Sequence, residues 1–375
     1  MRRLMFATFS PAGLSLASLW LGTACLGLDS TPPLEQPHEP KAVVAVKKAA
    51  PGAVSVDDAR LALFKPALPS EFASPGQPSS PDKIALGRML YYETRLSKNH
   101  DVSCNTCHSL TGFGVDGTKV STGHKKQQGS RNAPTVYNAA GHFVQFWDGR
   151  AKDVEEQAQG PVLNPVEMAM PAAAKVEATL RSIPGYVELF KKVFPEVAQP
   201  VTLANAAAAI GAFERKLVTP SRWDKFLAGD PAALTEDEQV GLGKFLAVGC
   251  NACHSGTLLG GSMFQKAGLR KPWPSDADGG RFAVTKQEAD RMLFKVPSLR
   301  NIEKTAPYFH DGSVTALEDA VRTMGRHQLG VELSDADVTS IATFLKSLTG
   351  TIPQEYVQAP ALPPSGPKTP KPDPR

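Results

Sequence analysis

The sequence predicts a mainly α-helical fold, built as two similar units joined by long loops. Three observations carry this. A Cys-x-x-Cys-His pentapeptide occurs twice, at residues 104–108 and 250–254, 146 residues apart. Stretches of apolar residues at helical spacing lie before each motif, and a further one closes the second unit. No run of strand-like alternation has any length, whereas 32 prolines and 31 glycines call for many turns. At 375 residues the chain also exceeds a typical single domain.

The elements follow in order. Residues 1–25 read as a secretory signal: Arg2 and Arg3, an apolar stretch over 14–21, then Gly22-Thr23-Ala24. The stretch is too short and interrupted for a spanning helix. Cys25, the odd one of five cysteines, falls at the expected cleavage point. It is either a lipid-anchor cysteine or discarded with the signal, and Gly22 sets the nearest leucine one place too far for the usual lipoprotein pattern. Residues 26–55, rich in Pro, Ala, Lys and Ser, read as a disordered tether.

The first unit spans 56–222. Helical spacing marks 83–92, 172–194 and 203–217, with Pro195 and Pro200 breaking between the last two. The second unit spans 223–358. Thr235 with Glu238 three places on is a capped helix start leading to Cys250. Ser334 caps a last helix whose face is Val338, Ile341, Phe344, Leu345 and Leu348. Residues 359–375 form a Pro-rich tail, expected to be disordered and solvated.

Each pentapeptide is a c-type haem attachment signature: two cysteines bond the haem vinyl groups and the histidine reaches the iron. A structural zinc site would need four ligands around one tetrahedron, and a redox dithiol needs no following histidine. The motifs therefore predict two covalently bound haem c groups on Cys104, Cys107, His108 and on Cys250, Cys253, His254. A helix before the motif, long loops and a closing helix describe a cytochrome c-like domain, here twice. Covalent haem attachment in bacteria occurs outside the cytoplasm, so the expected location is the periplasm, with membrane tethering if Cys25 is lipidated. A net charge of +4 gives no electrostatic case for nucleic acid.

What each haem does depends on its second axial ligand. Methionine raises the potential, a second histidine lowers it, and an open face permits chemistry on the iron. In the second unit Met324 lies 70 residues after His254, with Met263 and Met292 as competitors. In the first, His124 lies 16 residues after His108 in a Gly- and Lys-rich loop, with His142 as the alternative. Spacing leaves these choices open.

Longer stretches go further. They include Leu86-Gly87-Arg88-Met89-Leu90, Arg131-Asn132-Ala133-Pro134-Thr135, Phe146-Trp147-Asp148-Gly149-Arg150, Glu156-Gln157, Val166-Glu167-Met168, Gly280-Arg281-Phe282-Ala283-Val284-Thr285, Lys295-Val296-Pro297-Ser298-Leu299-Arg300-Asn301 and Tyr308-Phe309-His310-Asp311-Gly312-Ser313. Through these the chain resembles the bacterial di-haem cytochrome c peroxidases over roughly residues 60–355. The resemblance implies reduction of hydrogen peroxide at the N-terminal haem, with the C-terminal haem as a high-potential electron store. It implies His124 as a resting-state ligand that leaves on activation, Glu167 as the active-site acid, Gln157 as its polar neighbour, and Trp147 between the haems. Met324 becomes the distal ligand of the C-terminal haem. A calcium ion is implied between the domains, on the Asn132 side chain and the carbonyls of Thr305 and Pro307. The implied partners are a small electron donor, either a c-type cytochrome or a cupredoxin, and a second copy of the chain in a homodimer.

Two other functions compete. A relative that oxidises tryptophans of a partner protein to mature a quinone cofactor carries tyrosine where Met324 stands. A pure di-haem electron carrier would have no use for Glu167 and Gln157 over a haem.

Overall fold

The computed structural model describes residues 56, 58–64, 68–73 and 79–375; the signal, the tether and Cys25 lie outside the described residues. Among the described residues no helix is long and apolar enough to cross a membrane.

Two helical cores repeat one plan. In the first, helix Pro81–Tyr91 starts where the Ser80 side chain accepts from the Lys83 N–H, with proline in the first turn. It crosses helix Leu203–Glu214, burying Leu86 and Leu90 against Ile210 and Phe213. The crossing is close because Gly87 has no side chain: a Cβ there would lie 1.8 Å from the Ala209 carbonyl oxygen. In the second core, helix Glu236–Val248 begins with the expected capping box, Thr235 and Glu238 each satisfying the other's backbone N–H. It crosses helix Asp335–Lys346, where Gly241 meets the Ser340 carbonyl in the same way. Leu242, Phe245, Ile341, Phe344 and Trp223 fill that core.

Three expectations need adjustment. The apolar spacing over 172–194 is two helices, Ala173–Arg181 and Pro184–Val193. Pro184 lacks the N–H a continuous helix would need and instead opens the second one. A short antiparallel pair, Phe264–Lys266 with Leu293–Lys295, is present although no strand pattern announced it; three-residue strands are too short to show a period.

The tail 359–375 is irregular, as its prolines require, but it is not free. It runs along the first core. Arg95 donates to Pro363 O (2.8 Å) and Ser365 Oγ (2.9 Å). Ser182 Oγ donates to Thr369 Oγ1 at 3.0 Å, and Asp373 N–H donates to Lys98 O at 3.0 Å. Prolines with fixed φ lose less backbone entropy on docking, so a few polar contacts suffice to hold the segment. The cores thus exchange their ends: Phe64 belongs to the second core, while Ile352 and Tyr356 pack on the first.

Candidate active site and haem cradles

The first pentapeptide is a single helical turn, Cys104–Cys107, capped reciprocally by Ser103 and Thr106. His108 N–H closes the turn on Cys104 O at 2.9 Å, and Tyr91 Oη donates to His108 O at 2.6 Å. The His108 ring turns Nδ1 to the Gly114 carbonyl at 3.3 Å. Burial pushes its pKa down, so the imidazole is neutral. With Nδ1 donating to that carbonyl, the lone pair is on Nε2, the arrangement an iron ligand needs. The second pentapeptide follows Gly249, which ends helix Glu236–Val248 in the left-handed conformation. His254 repeats the pattern, with Nδ1 at 3.1 Å from Leu259 O and its pKa lowered by burial. None of the four motif cysteines is in a disulfide. Two neutral histidines fixed by backbone carbonyls, each beside two unbridged cysteines, fit haem c.

Each motif opens onto its own cavity. The first is lined by Cys107, His108, Gln157, Pro161, Glu167 and Glu214, the second by Cys250, Cys253, His254, Trp273 and Met324. Met324 ends helix Leu317–Met324, just before a π-helical turn over Gly325–Leu329. Neither Met263 nor Met292 lines that cavity; Met263 is partly exposed and Met292 is buried elsewhere.

Glu167 sits in a tight turn after helix Val154–Leu163, whose inward face carries Gln157 and Pro161. Its Oε1 accepts from Asn164 Nδ2 at 2.7 Å. Burial raises its pKa, partly offset by the Arg150 charge and by that hydrogen bond. A carboxyl group held nearer neutrality over a cavity is suited to taking up and returning a proton.

His124 is placed differently from the other site residues. It does not line the first cavity, although Ser121 and Gly123 do. Its backbone N–H donates to Glu167 O at 2.8 Å, and its Nε2 lies 3.4 Å from Arg375 O in the docked tail. Gly123 is pressed against the Glu167 turn, where a Cβ would meet Val166 O at 2.2 Å. The histidine loop and the carboxylate turn are therefore one packed unit, while the imidazole itself faces the tail.

Trp147 lines both cavities. Its Nε1–H donates to Asn132 O at 3.0 Å, and the Asn132 N–H donates to His310 O at 2.8 Å. His310 is buried and stacked on Phe294, with ring centroids 4.2 Å apart. Asn132 gives its Nδ2 to Thr118 O at 2.9 Å, and among the described residues nothing donates to its Oδ1 or to the carbonyls of Thr305 and Pro307. Asn132, Thr305 and Pro307 all line the second cavity. Three neutral oxygens with no donor are a donor set of the kind calcium takes.

Two features escaped sequence reasoning. Glu214 is buried in the wall of the first cavity, and burial with the nearby Glu155 charge pushes its pKa up to about 8. It is the one acid in the Ala-rich stretch 203–214, which is its only sequence signal. The buried Lys295 and the half-buried His142 form a pair with Nζ 2.9 Å from Nδ1; nothing in the sequence links residues 153 positions apart.

With this geometry in hand, the chain can be compared with known proteins. A family model described as di-haem cytochrome c peroxidase matches residues 81–232. The chain is 47% identical over 323 residues to the cytochrome c551 peroxidase of Pseudomonas aeruginosa, covering 85% of this chain and 92% of that one. It is 49% identical over 296 residues to the protein of the same name from Nitrosomonas europaea, covering 78% and 87%. Among solved structures, a MauG-like protein associated with microbial copper homeostasis superposes with a TM-score of 0.69 at 29% identity, covering 79% of this chain and 97% of that chain.

Proposed function

The chain belongs to the di-haem cytochrome c peroxidase family, and on that premise we propose that it reduces hydrogen peroxide to water in its first cavity with electrons delivered through its second. The observation that carries the reading is the division of residues. His108, Glu167 and Gln157 share one cavity, His254 and Met324 share the other, and Trp147 lines both.

The overall change is one peroxide, two protons and two electrons to two waters. When bound, the two haem c groups supply the iron for peroxide and the storage of electrons. The protein's own residues do the rest. His108 would hold the iron through a neutral imidazole whose other nitrogen is tied to Gly114 O. The Glu167 carboxylate takes the proton from the near peroxide oxygen and returns it to the leaving oxygen, so that water rather than hydroxide departs. Asn164 keeps that carboxylate aimed, and the Gln157 amide orients the peroxide beside it. Met324, a soft thioether, favours ferrous iron and so a high potential at the second site. Trp147 is the aromatic bridge between the sites.

His124 is the gate of the first site: as a ligand it would exclude peroxide, and withdrawn it would admit it. What supports this is that Ser121 and Gly123 of its loop line the cavity while His124 itself does not, its Nε2 lying 3.4 Å from Arg375 O. Asn132 Oδ1 and the carbonyls of Thr305 and Pro307 would hold a calcium ion, which would tie the two halves together. A small redox protein, a c-type cytochrome or a cupredoxin, donates the electrons. The protein acts in the periplasm as a homodimer, with Cys25 as its attachment point if that residue is lipidated.

The test is steady-state oxidation of a reduced small c-type cytochrome by the haem-loaded protein, with and without hydrogen peroxide. Peroxide-dependent turnover with two cytochromes oxidised per peroxide is expected. Two fully six-coordinate haems that exchange electrons with the cytochrome but ignore peroxide would make the protein a carrier and overturn the reading.

A further inference from the structure

Lys295 is a charged residue to which the function above gives no task. It ends the strand Leu293–Lys295, and its backbone N–H donates to Trp147 O at 2.8 Å. Its side chain is buried, with 5% of the residue exposed. Among the described residues the one polar partner of Nζ is His142 Nδ1 at 2.9 Å. Among the described residues no carboxylate lies within ion-pair distance of it. The anion whose charge it feels, Asp148, is already claimed by Arg131 and Arg150, at 2.6 and 3.0 Å.

The pair is short of an anion. A buried ammonium without a counter-charge costs several kcal/mol. Burial, only partly offset by the Asp148 charge, brings the Lys295 pKa down to about 7. His142 accepts the lysine's hydrogen bond on Nδ1, so a neutral ring carries its proton on Nε2, and that atom is buried with no partner among the described residues. One buried donor, His142 Nε2–H, thus lacks an acceptor, and the ammonium beside it lacks a counter-charge. Both residues line the first cavity and both line the second, beside Trp147 and Asn132 in the wall the cavities share. The other cations in this region are committed elsewhere: Arg131 bridges Asp148 and Asp278, and Arg150 stacks on Phe146 while bonding Asp148.

Haem c brings two propionate carboxylates, the chemistry this wall is missing. We propose that Lys295, positioned by His142, is the counter-cation for haem propionate carboxylates in the wall between the two cavities, and that its charge raises the reduction potential there. The sign follows from electrostatics: a positive charge nearby favours the ferrous state, which is less positive than the ferric. Lys295 is a positioning and tuning residue rather than a catalytic one. The inference rests on both cavities taking haem c.

The experiment uses the haem-loaded full chain as wild type, K295M, K295R and H142F. Haem content is counted first, and wild type must show two c-type haems with two midpoints; if it does not, the functional reading fails before Lys295 is tested. Spectroelectrochemical titration then compares midpoints. K295M is expected to shift at least one ferrous/ferric equilibrium about tenfold toward ferric, a fall of about 59 mV for a one-electron couple. K295R should keep the midpoints near wild type, and H142F, which leaves the charge but removes its holder, should give a smaller fall. Propionate bands in resonance Raman spectra should move in K295M, which a purely packing role would not cause. If K295M fails to accumulate with two haems, H142F and K295R still decide the matter. Unchanged midpoints and unchanged propionate bands in the loaded variants overturn the proposal, as does a fall in K295R as large as in K295M.

Discussion

Glu167→Gln is the sharpest perturbation of the proposed chemistry, because the structure fixes what it removes. Glutamine keeps the length of the side chain and an oxygen for Asn164 Nδ2, which donates to Oε1 at 2.7 Å. The geometry survives and only the capacity to carry a proton is lost. General acid–base assistance is worth about 10²- to 10⁴-fold, or ~2.7 to 5.4 kcal/mol at ~1.36 kcal/mol per decade. Two other carboxyls line the same cavity; Asp148 is held by Arg131 and Arg150, so the state of Glu214 decides where in that range the loss falls. Glu214 has its pKa pushed up to about 8 by burial, so near neutral pH it is mostly protonated and a poor stand-in base. The loss is therefore expected in the upper part of the range. The assay is peroxide-dependent oxidation of a reduced cytochrome c, with haem spectra recorded on the same sample. A second readout is pH. Burial raises the Glu167 pKa, so its base form is lost as pH falls through a value above the ordinary ~4.3 of glutamate. The acid limb of kcat/KM should lie above that value in wild type and vanish in E167Q. Near wild-type turnover with both haem spectra intact would refute the reasoning and make Glu167 a structural residue.

Other expectations follow from the same geometry. Met324→His should lower the higher of the two midpoints, since imidazole favours ferric iron; an unchanged higher midpoint in a redox titration would remove Met324 as ligand. Chelation of calcium should lower turnover and slow electron transfer between the haems while both stay covalently attached, and stopped-flow kinetics on protein shown by metal analysis to be calcium-free would check it. Asp224→Ala should cost about 3–5 kcal/mol in denaturant unfolding, because Arg300, 1% exposed, would keep a buried charge without its two-pronged partner at 2.8 and 2.9 Å. Asp224 has its pKa lowered by Arg300 against the opposing effect of burial, so its contribution is present above the unfolded value near ~3.9 and lost as pH falls through the folded one; stability of D224A should depend less on pH in that acid range.

How much of this could be seen in the sequence depended on the range of the interaction involved. The capped helix starts at Thr235 and Ser334 are local hydrogen-bonding patterns, and the helices begin there. The haem pentapeptides are local too, since one helical turn sets the two cysteines and the histidine together. The proposed role of Glu167, by contrast, could not be read from the residue itself, one of 37 acidic positions; only the resemblance singled it out. Pairings such as Lys295 with His142 depend on burial and on tertiary contact, and neither residue carries a spacing that announces it. The tail was misjudged for a related reason. Proline-rich composition says that a segment lacks regular structure, but not whether Arg95, Ser182 and Lys98 wait on a neighbouring surface to bind it.

The placement of the residues also separates two kinds of effect. Glu167, Gln157 and Asn164 belong to one cavity and to its adjoining turn, so changes there should alter turnover while leaving the second haem's spectrum alone. Trp147, Asn132, His142 and Lys295 stand in the wall common to both cavities. Trp147 is tied to Asn132, Asn132 to the His310 backbone, and the Lys295 backbone to Trp147. Nothing in that wall can move without reaching both sites. On the proposed function, proton handling is thus local to the first site, whereas the residues proposed for electron transfer and haem charge, with Asn132 of the proposed calcium site, fall on a single strip of hydrogen-bonded residues. A substitution that disturbs both haem spectra together points to this strip, and one that abolishes turnover with both spectra unchanged points to the turn that carries Glu167.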